Sequence, residues 1–248
     1  MYTRGLLIDL DGTLYNESGP VLGAFEALSH LEEAGIPYRY VTNTTRKPRR
    51  EVISRLHELG FEAREELVFT PATAASALLK GKKCHALVAG GLLEDLPGMV
   101  SEDEAPEYVL VGDLGYGFDY VRLNAAFRYL VDGAELVALQ KNRFWREADG
   151  LSLDAGPFVA ALEYASGKTA LVVGKPEPAF FEVALRDLGL EAREVAMVGD
   201  DAESDVAGAQ RAGLRGIQVR TGKYRPETAG EPDAEIESIA SLPEILGL

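Results

Sequence analysis

The sequence predicts an α/β fold built around a parallel sheet. Short apolar runs recur along the chain, most of them are continuous rather than alternating, and helical patterns lie between them. Continuous runs are typical of parallel strands, because crossover helices cover both faces of such a sheet. The predicted strands cover residues 5–10, 38–41, 86–89, 108–111, 136–139, 170–173, 195–198 and 216–219.

Three helices are predicted between these strands, at residues 20–35, 119–132 and 178–189. Each carries large apolar residues every three or four positions, the spacing that puts one helix face against a sheet. The first and third end at Gly35 and Gly189, and glycine is a common helix stop. Strands that alternate with helices in this way favour an open sheet with right-handed crossovers.

The distribution of polar motifs predicts two domains. Candidate catalytic residues fall within residues 9–46 and 174–205, whereas the stretch between them has strand and helix patterns but none of these motifs. Because exposed loops tolerate inserted domains, we predict a core formed by residues 1–81 and 168–248. An inserted α/β domain is predicted at residues 82–167.

Composition and charge narrow the class of function. The 248 residues are 46% hydrophobic and 26% charged, as in ordinary globular proteins, and their net charge is −15. That charge disfavours nucleic acid or an anionic membrane as a partner. We find no signal-peptide pattern and no apolar stretch of the roughly 20 residues that a membrane span needs. With one cysteine, Cys84, and therefore no internal disulfide, we expect a cytoplasmic protein with a small-molecule partner.

Two carboxylates follow the first predicted strand, in the segment LLIDLDGTL. Asp9 and Asp11 are two residues apart in an extended chain, so both can address one bound group. One of them could attack phosphorus, while the other protonates the leaving oxygen and later deprotonates water. The alternative is a strand that ends in an ordinary Asp-Gly turn.

Thr42 and Asn43 follow the second predicted strand, in the segment YVTNTTR. A hydroxyl, a side-chain amide and loop N–H groups can hold phosphoryl oxygens. The alternative is a helix cap, for which threonine and asparagine are also favoured.

Lys175 follows the predicted strand at 170–173, in the segment VVGKP. At a strand end, next to a glycine that permits close approach, its ammonium is placed to neutralise a phosphoryl group during transfer. The alternative is a solvated loop lysine, which is the commoner role of that residue.

A cluster of carboxylates follows the strand at 195–198, in the segment GDDAESD. Such oxygen ligands suit Mg²⁺. The alternative is an acidic helix N-terminus, which would account for Asp201 and Glu203 but less well for Asp200, directly at the strand's end.

All four segments begin where a predicted strand ends. Ligands of open α/β sheets bind beyond the carboxyl ends of the strands. The shared placement therefore predicts a single site for metal-assisted phosphate transfer.

In this order, the four segments resemble the motifs of the haloacid dehalogenase superfamily: DxDGT, a strand-end threonine, a lysine, and GDDxxxD. The resemblance implies a Rossmann-like core with an inserted cap of the kind found in the NagD and p-nitrophenylphosphatase branch. It also implies a role for each residue. Asp9 would be the nucleophile, Asp11 the general acid and base, and Lys175 would compensate charge. Thr42 and Asn43 would hold the phosphoryl oxygens, and Asp205 would orient Lys175 or a metal-bound water. The Mg²⁺ ligands would be the Asp9 carboxylate, the Asp11 backbone carbonyl and Asp200.

The resemblance further implies that the cap closes over the site and contacts the leaving group. We expect these contacts in a loop at 140–150, and capped relatives often pair through the cap, so a homodimer is a further expectation. The candidate contact residues are Lys141, Asn142, Arg143 and Trp145, with Tyr116 and Phe118 as weaker candidates.

Some members of this branch lack an acid at the position of Asp11, which this chain keeps. That difference favours ordinary phosphate esters as substrates. We therefore predict a magnesium-dependent phosphatase that hydrolyses a small phosphorylated substrate through an aspartyl-phosphate. One alternative is a phosphatase for pyrophosphate or for phosphoramidates such as phosphohistidine and phospholysine. Alternatives of other classes are a dehalogenase, a phosphoacceptor module without turnover, and a binding protein.

Overall fold

A computed structural model describes residues 3–96, 105–147, 150–226 and 231–248. Its parallel sheets and intervening helices confirm the predicted α/β class. The contacts divide the chain into two compact units, the first within residues 1–42, 52–69 and 175–248 and the second within 43–51 and 70–174.

Each predicted strand is present, with ends shifted by no more than two residues. The strands are β1 Gly5–Asp9, β2 Tyr15–Asn16, β3 Gly19–Pro20, β4 Tyr38–Val41, β5 Val68–Phe69, β6 Cys84–Leu87, β7 Tyr108–Val111, β8 Glu135–Ala138, β9 Phe144–Glu147, β10 Gly150–Leu153, β11 Leu171–Val172, β12 Val195–Gly199, β13 Arg215–Val219 and β14 Ala234–Ile236. The helices are α1 Ala24–Glu33, α2 Arg49–Glu58, α3 Pro71–Leu78, α4 Tyr120–Val131, α5 Ala155–Ser166, α6 Pro178–Leu188, α7 Gly208–Arg211 and α8 Leu242–Leu246.

The first unit is built on a six-stranded parallel sheet in the order β14-β13-β12-β1-β4-β5. All five residues of β1 are buried, as expected for a central strand covered on both faces. Its neighbours hold it in register, with Ile8 opposite Val198 of β12 and Tyr40 of β4. This order brings the carboxyl ends of β1, β4 and β12 side by side.

Helix α1 begins later than predicted. The start at residue 20 was wrong because Gly19 and Pro20 form β3, which pairs with β2 in a short antiparallel hairpin. The helix begins after Gly23, whose φ of 81° lies in the left-handed region, and Leu22 is 92% exposed rather than packed.

The second unit contains a four-stranded parallel sheet in the order β11-β8-β7-β6 and an antiparallel hairpin of β9 and β10. The hairpin corrects the predicted contact loop at 140–150, because β9 occupies part of that segment. The pattern was missed since its strands are short and carry apolar side chains to solvent, with Phe144 at 53% and Leu151 at 62% exposure.

The compact second unit is wider than the predicted insert at 82–167. Strand β11, which the prediction assigned to the core, pairs with β8, with Leu171 opposite Val137. Helix α3 also belongs to this unit, since Ala72 and Ala75 pack in one apolar cluster with Cys84. Among the described residues, no helix is long and apolar enough to cross a membrane.

Candidate active site

The first candidate segment lies where the central strand ends. Asp9 is the last residue of β1 and is buried, whereas Asp11 is exposed. The chain turns between them and β2 at Gly12, whose φ is 87°. Thr42 lies at the end of the neighbouring strand β4 and is also buried, with its N–H bonded to the Phe69 carbonyl at 3.2 Å.

Lys175 connects two of the candidate carboxylates. Its Nζ lies 2.5 Å from Asp9 Oδ1 and 2.6 Å from Asp205 Oδ1, and all three side chains are nearly buried. Desolvated charges require such pairing, because an isolated ammonium in a protein interior is strongly disfavoured. The alternative of a solvated loop lysine is wrong for Lys175.

Asp205 lies on a single π-helical turn, Ala202–Ala207, that follows β12. Its Oδ2 accepts the Asp201 N–H at 3.1 Å, which leaves Oδ1 for Lys175. Asp201 caps this turn, since its carboxylate accepts the N–H groups of Glu203 and Ser204. The alternative of an acidic helix N-terminus is therefore confirmed for Asp201.

Asp200 is only 1% exposed and lies in a cradle made by two glycines. A Cβ added to Gly12 would lie 2.1 Å from Asp200 Oδ2, and one added to Gly222 would lie 2.0 Å from it. The same oxygen accepts the Lys223 N–H at 2.6 Å. Two positive-φ glycines are thus required here for close approach of the backbone to a carboxylate.

The three buried carboxylates could hold a metal ion. Ligand atoms of Asp9, Asp200 and Asp205 all lie within 4.8 Å of one another. Oxygen ligands in a buried cluster suit a hard divalent cation such as Mg²⁺. Lys175 pairs with two of these three carboxylates, and such a cation would offset the negative charge that remains.

Burial of these carboxylates shifts their pKa values upward. Burial raises the pKa of Asp200 and of Asp205 to about 6, and it also raises that of Asp9 against the opposing charge of Lys175. Burial alone would lower the pKa of Lys175, but the charges of Asp205 and Asp9 raise it. Perturbed carboxylates grouped in this way are typical of functional sites.

Several predicted site residues belong to the second unit. Asn43 lies beside Gly174, where an added Cβ would meet its Oδ1 at 2.8 Å. The side chains of Asn142 and Arg143 are exposed. The roles predicted for these three residues at a phosphoryl or leaving group remain predictions.

Three of the other cap candidates, Lys141, Phe118 and Trp145, have structural partners within the second unit. Lys141 Nζ binds Glu163 at 2.7 Å, and Phe118 stacks on Phe158 with ring centroids 3.8 Å apart. The guanidinium of Arg46 lies 4.3 Å from the ring centroid of Trp145. Tyr116 is fully exposed.

Lys223 is a residue that the sequence analysis missed. Its Nζ pairs with Asp201 at 3.2 Å, while its N–H holds Asp200. It follows β13, and Thr221 in the same loop bonds the Gly12 carbonyl. The rule that ligands gather at strand carboxyl ends could have identified this loop too.

Comparisons with known proteins agree with the geometry. A family model described as haloacid dehalogenase-like hydrolase matches residues 6–99, and a second, HAD-hydrolase-like, matches residues 172–243. Haloacid dehalogenase-like hydrolase domain-containing protein 2 of Bos taurus is 46% identical over 90% of this chain and 86% of its own length. Phospholysine phosphohistidine inorganic pyrophosphate phosphatase of Homo sapiens is 38% identical over 98% of this chain and 94% of its own.

Solved structures show the same similarity. The 4-nitrophenylphosphatase from Thermotoga maritima has a TM-score of 0.89 at 26% identity and covers 99% of this chain and 98% of its own. NagD from E. coli K-12 has a TM-score of 0.87 at 25% identity, and the match covers 97% of this chain and 98% of NagD.

Proposed function

The chain belongs to the NagD-like branch of the haloacid dehalogenase hydrolases, and we propose that it is a magnesium-dependent phosphatase. Its substrate is a small phosphorylated molecule, hydrolysed through an aspartyl-phosphate. One observation carries the proposal: the Lys175 ammonium bonds both Asp9 and Asp205 within a buried cluster that also contains Asp200.

Asp9 begins the reaction as nucleophile. One of its carboxylate oxygens forms a bond to phosphorus as the bond from phosphorus to the leaving oxygen breaks. Lys175 offsets negative charge on the phosphoryl oxygens, and Thr42 and Asn43 bind those oxygens. Asp11 donates a proton to the leaving oxygen, so the alcohol departs neutral.

Hydrolysis of the aspartyl-phosphate completes the cycle. Asp11, now ionised, takes a proton from water as the water oxygen attacks phosphorus. The bond between phosphorus and the Asp9 oxygen breaks, which releases inorganic phosphate and regenerates the carboxylate. Asp205 fixes Lys175 throughout, through the bond of 2.6 Å.

Mg²⁺ would be held by the carboxylates of Asp9 and Asp200 and by the backbone carbonyl of Asp11. When bound, the ion supplies positive charge that stabilises the phosphoryl group in the transition state. The excess carboxylate charge and the glycine cradle around Asp200 support this assignment.

Pyrophosphate or a phosphoramidate is the second candidate substrate class. It is favoured by the 38% identical human relative, whose name states these substrates. Ordinary phosphate esters depend more on Asp11, because an alkoxide leaves poorly without a proton. A cytoplasmic location is part of the same proposal, since the one cysteine, Cys84, is a buried free thiol.

A phosphate-release screen tests the proposal. Phosphate esters, pyrophosphate, phosphohistidine and phospholysine are assayed with and without Mg²⁺, beside the variant Asp9→Asn. We expect many phosphates released per protein molecule, loss of turnover on chelation, and no turnover by the variant. Release that stops near one phosphate per protein would instead identify a phosphoacceptor module. Wild-type turnover by Asp9→Asn would remove the nucleophile assignment.

A further inference from the structure

The turn at residues 221–224 follows β13 and contacts the loops that follow β1 and β12. It is closed by the Tyr224 N–H, which donates to the Thr221 carbonyl at 3.2 Å, and its second residue, Gly222, has a φ of 61°. Strands β13, β12 and β1 are neighbours in the six-stranded sheet. One short turn therefore links the ends of three adjacent strands, although it has no part in the proposed reaction.

The first contact of the turn is with Gly12, in the loop after β1. The Thr221 hydroxyl donates a hydrogen bond to the Gly12 carbonyl. The two backbones lie close together here, since a Cβ added to Gly222 would lie 2.6 Å from the Gly12 Cα. Gly12 is thus held by a residue that is distant from it in the sequence.

Gly12 needs such a restraint because it follows Asp11 in a loop where the chain turns. Its φ is 87°, and a residue without a Cβ can rotate about both backbone torsions with little steric restriction. The Gly12 N–H donates to the Tyr15 carbonyl at 2.7 Å. Because this N–H and the Asp11 carbonyl belong to one planar peptide, that bond also sets the direction of the Asp11 carbonyl. The bond from Thr221 fixes the next peptide plane, so both sides of Gly12 are restrained.

The second contact of the turn is with the loop after β12. The Lys223 N–H donates to Asp200 Oδ2 at 2.6 Å, and the Lys223 ammonium pairs with Asp201 at 3.2 Å. A hydrogen bond from a backbone N–H to a carboxylate is short and directional, so it orients the side chain that accepts it. The same turn therefore restrains both Gly12 and Asp200.

We propose that the turn at 221–224 preorganises the cation site, and that Thr221 is its positioning residue. The inference rests on the proposed function, in which the Asp11 carbonyl and the Asp200 carboxylate are Mg²⁺ ligands. These two groups come from loops that are far apart in the sequence. A turn bonded to both loops restrains them before the ion binds, which lowers the entropy that binding must lose.

The variant Thr221→Val tests the role of the hydroxyl, because valine keeps the size and the branched Cβ of threonine. Mn²⁺ is titrated in place of Mg²⁺, without substrate, and the free ion is followed by electron paramagnetic resonance. We expect the dissociation constant of Mn²⁺ to rise about 10-fold, as when outer partners of metal ligands are removed. An unchanged dissociation constant would overturn the proposal.

Two further variants separate the hydrogen bond from general damage to the fold. Thr221→Ser keeps a hydroxyl and should bind Mn²⁺ within about 2-fold of wild type, because the outer partner is retained. Thr70→Val, in the second unit, removes a buried hydroxyl that accepts the Thr73 N–H at 3.2 Å. It should lower the urea midpoint of unfolding and leave Mn²⁺ binding unchanged. A loss of affinity in either control as large as that in Thr221→Val would contradict the inference.

Failure of this inference differs from failure of the proposed function. Wild-type protein that releases no phosphate, or releases it equally well in chelator, would remove the magnesium-dependent phosphatase itself. Wild-type protein that turns over, requires Mg²⁺ and binds Mn²⁺ no more tightly than Thr221→Val would remove only the role of Thr221.

Discussion

Both units bury carboxylates, but they satisfy them differently. In the second unit, Asp113 pairs with Arg46 at 2.5 Å and accepts the Gly115 N–H at 2.8 Å. The Asp154 carboxylate accepts hydrogen bonds from the side-chain amide of Gln140 and from the Ala155 N–H. These carboxylates have their partners within the fold, and they stabilise local structure.

In the first unit, by contrast, Asp9 and Asp205 share one buried ammonium, that of Lys175, and the buried carboxylate of Asp200 lies within 4.8 Å of both. A buried charge without a partner of opposite charge lowers stability unless a bound ligand neutralises it. This comparison indicates that buried carboxylates without matching positive charge identify a functional site better than buried carboxylates in general.

The largest expected effect is on catalysis, from Asp9→Asn. The amide is a poor nucleophile, so turnover should fall roughly 10⁴-fold or more, as when other nucleophiles are removed. Asp154→Asn, in the second unit, keeps a side-chain oxygen for the Ala155 N–H and should retain kcat within about 3-fold. Steady-state phosphate release measures both. Equal losses would abolish the distinction between the two sets of carboxylates.

Removal of the buried ammonium should have the largest effect on stability. Lys175→Met leaves the buried carboxylates of Asp9 and Asp205 without their cation, and we expect it to lower the free energy of unfolding by about 3–5 kcal/mol. Lys141→Met, which removes the half-exposed partner of Glu163, should cost less than about 1 kcal/mol. Urea unfolding in chelator measures both, and similar losses would contradict the account.

Much of this site could be predicted from sequence, because its polar residues come directly after apolar runs in the chain. Asp9, Thr42 and Asp200 each end or follow a strand of the six-stranded sheet, and parallel strands bring such positions to one edge. The rule does not account for Lys175, because the strand before it, β11, belongs to the other sheet. Sequence could not show that Asp205 turns back to Lys175, since that depends on a π-helical turn.

The second unit was harder to predict for a physical reason. The β9–β10 hairpin exposes Phe144, Leu151 and Leu153, whereas the apolar residues of an ordinary half-buried strand face a core. Strand β11 has only two residues, and its pairing with β8 depends on the tertiary fold. Its assignment to a unit could not be read from its own residues.

Asp200→Asn should stabilise the metal-free protein while it removes the response to Mg²⁺. Burial raises the pKa of Asp200 to about 6. The ionised form is therefore disfavoured in the folded state. The contribution of protonated Asp200 to the free energy of unfolding is present below about pH 4 and is lost as pH rises through about 6. At pH 7.5 in chelator, the variant should unfold at higher temperature than wild type.

Added Mg²⁺ should raise the thermal unfolding temperature of wild type and leave that of the variant unchanged. An equal Mg²⁺ shift would exclude Asp200 as a ligand.

A smaller effect is expected from the glycine cradle. Gly222→Ala would place a Cβ 2.0 Å from Asp200 Oδ2, so the carboxylate must move and the Mg²⁺ concentration for half-maximal activity should rise about 10-fold or more. Gly167, at the end of α5, has a similar φ of 72° and open space around it. Gly167→Ala should cost about 1 kcal/mol of backbone strain and leave the Mg²⁺ dependence unchanged. The same shift in both variants would assign the effect to strain rather than to Asp200.

The most direct measurement is the site of phosphorylation during turnover. Wild-type protein is mixed with substrate and Mg²⁺, quenched in acid within one turnover, and digested for mass spectrometry. The account predicts one phosphoryl group on the peptide that contains Asp9, and none there in Asp9→Asn. Rapid turnover in which no phosphoryl group reaches Asp9, or in which another residue carries it, would contradict the account.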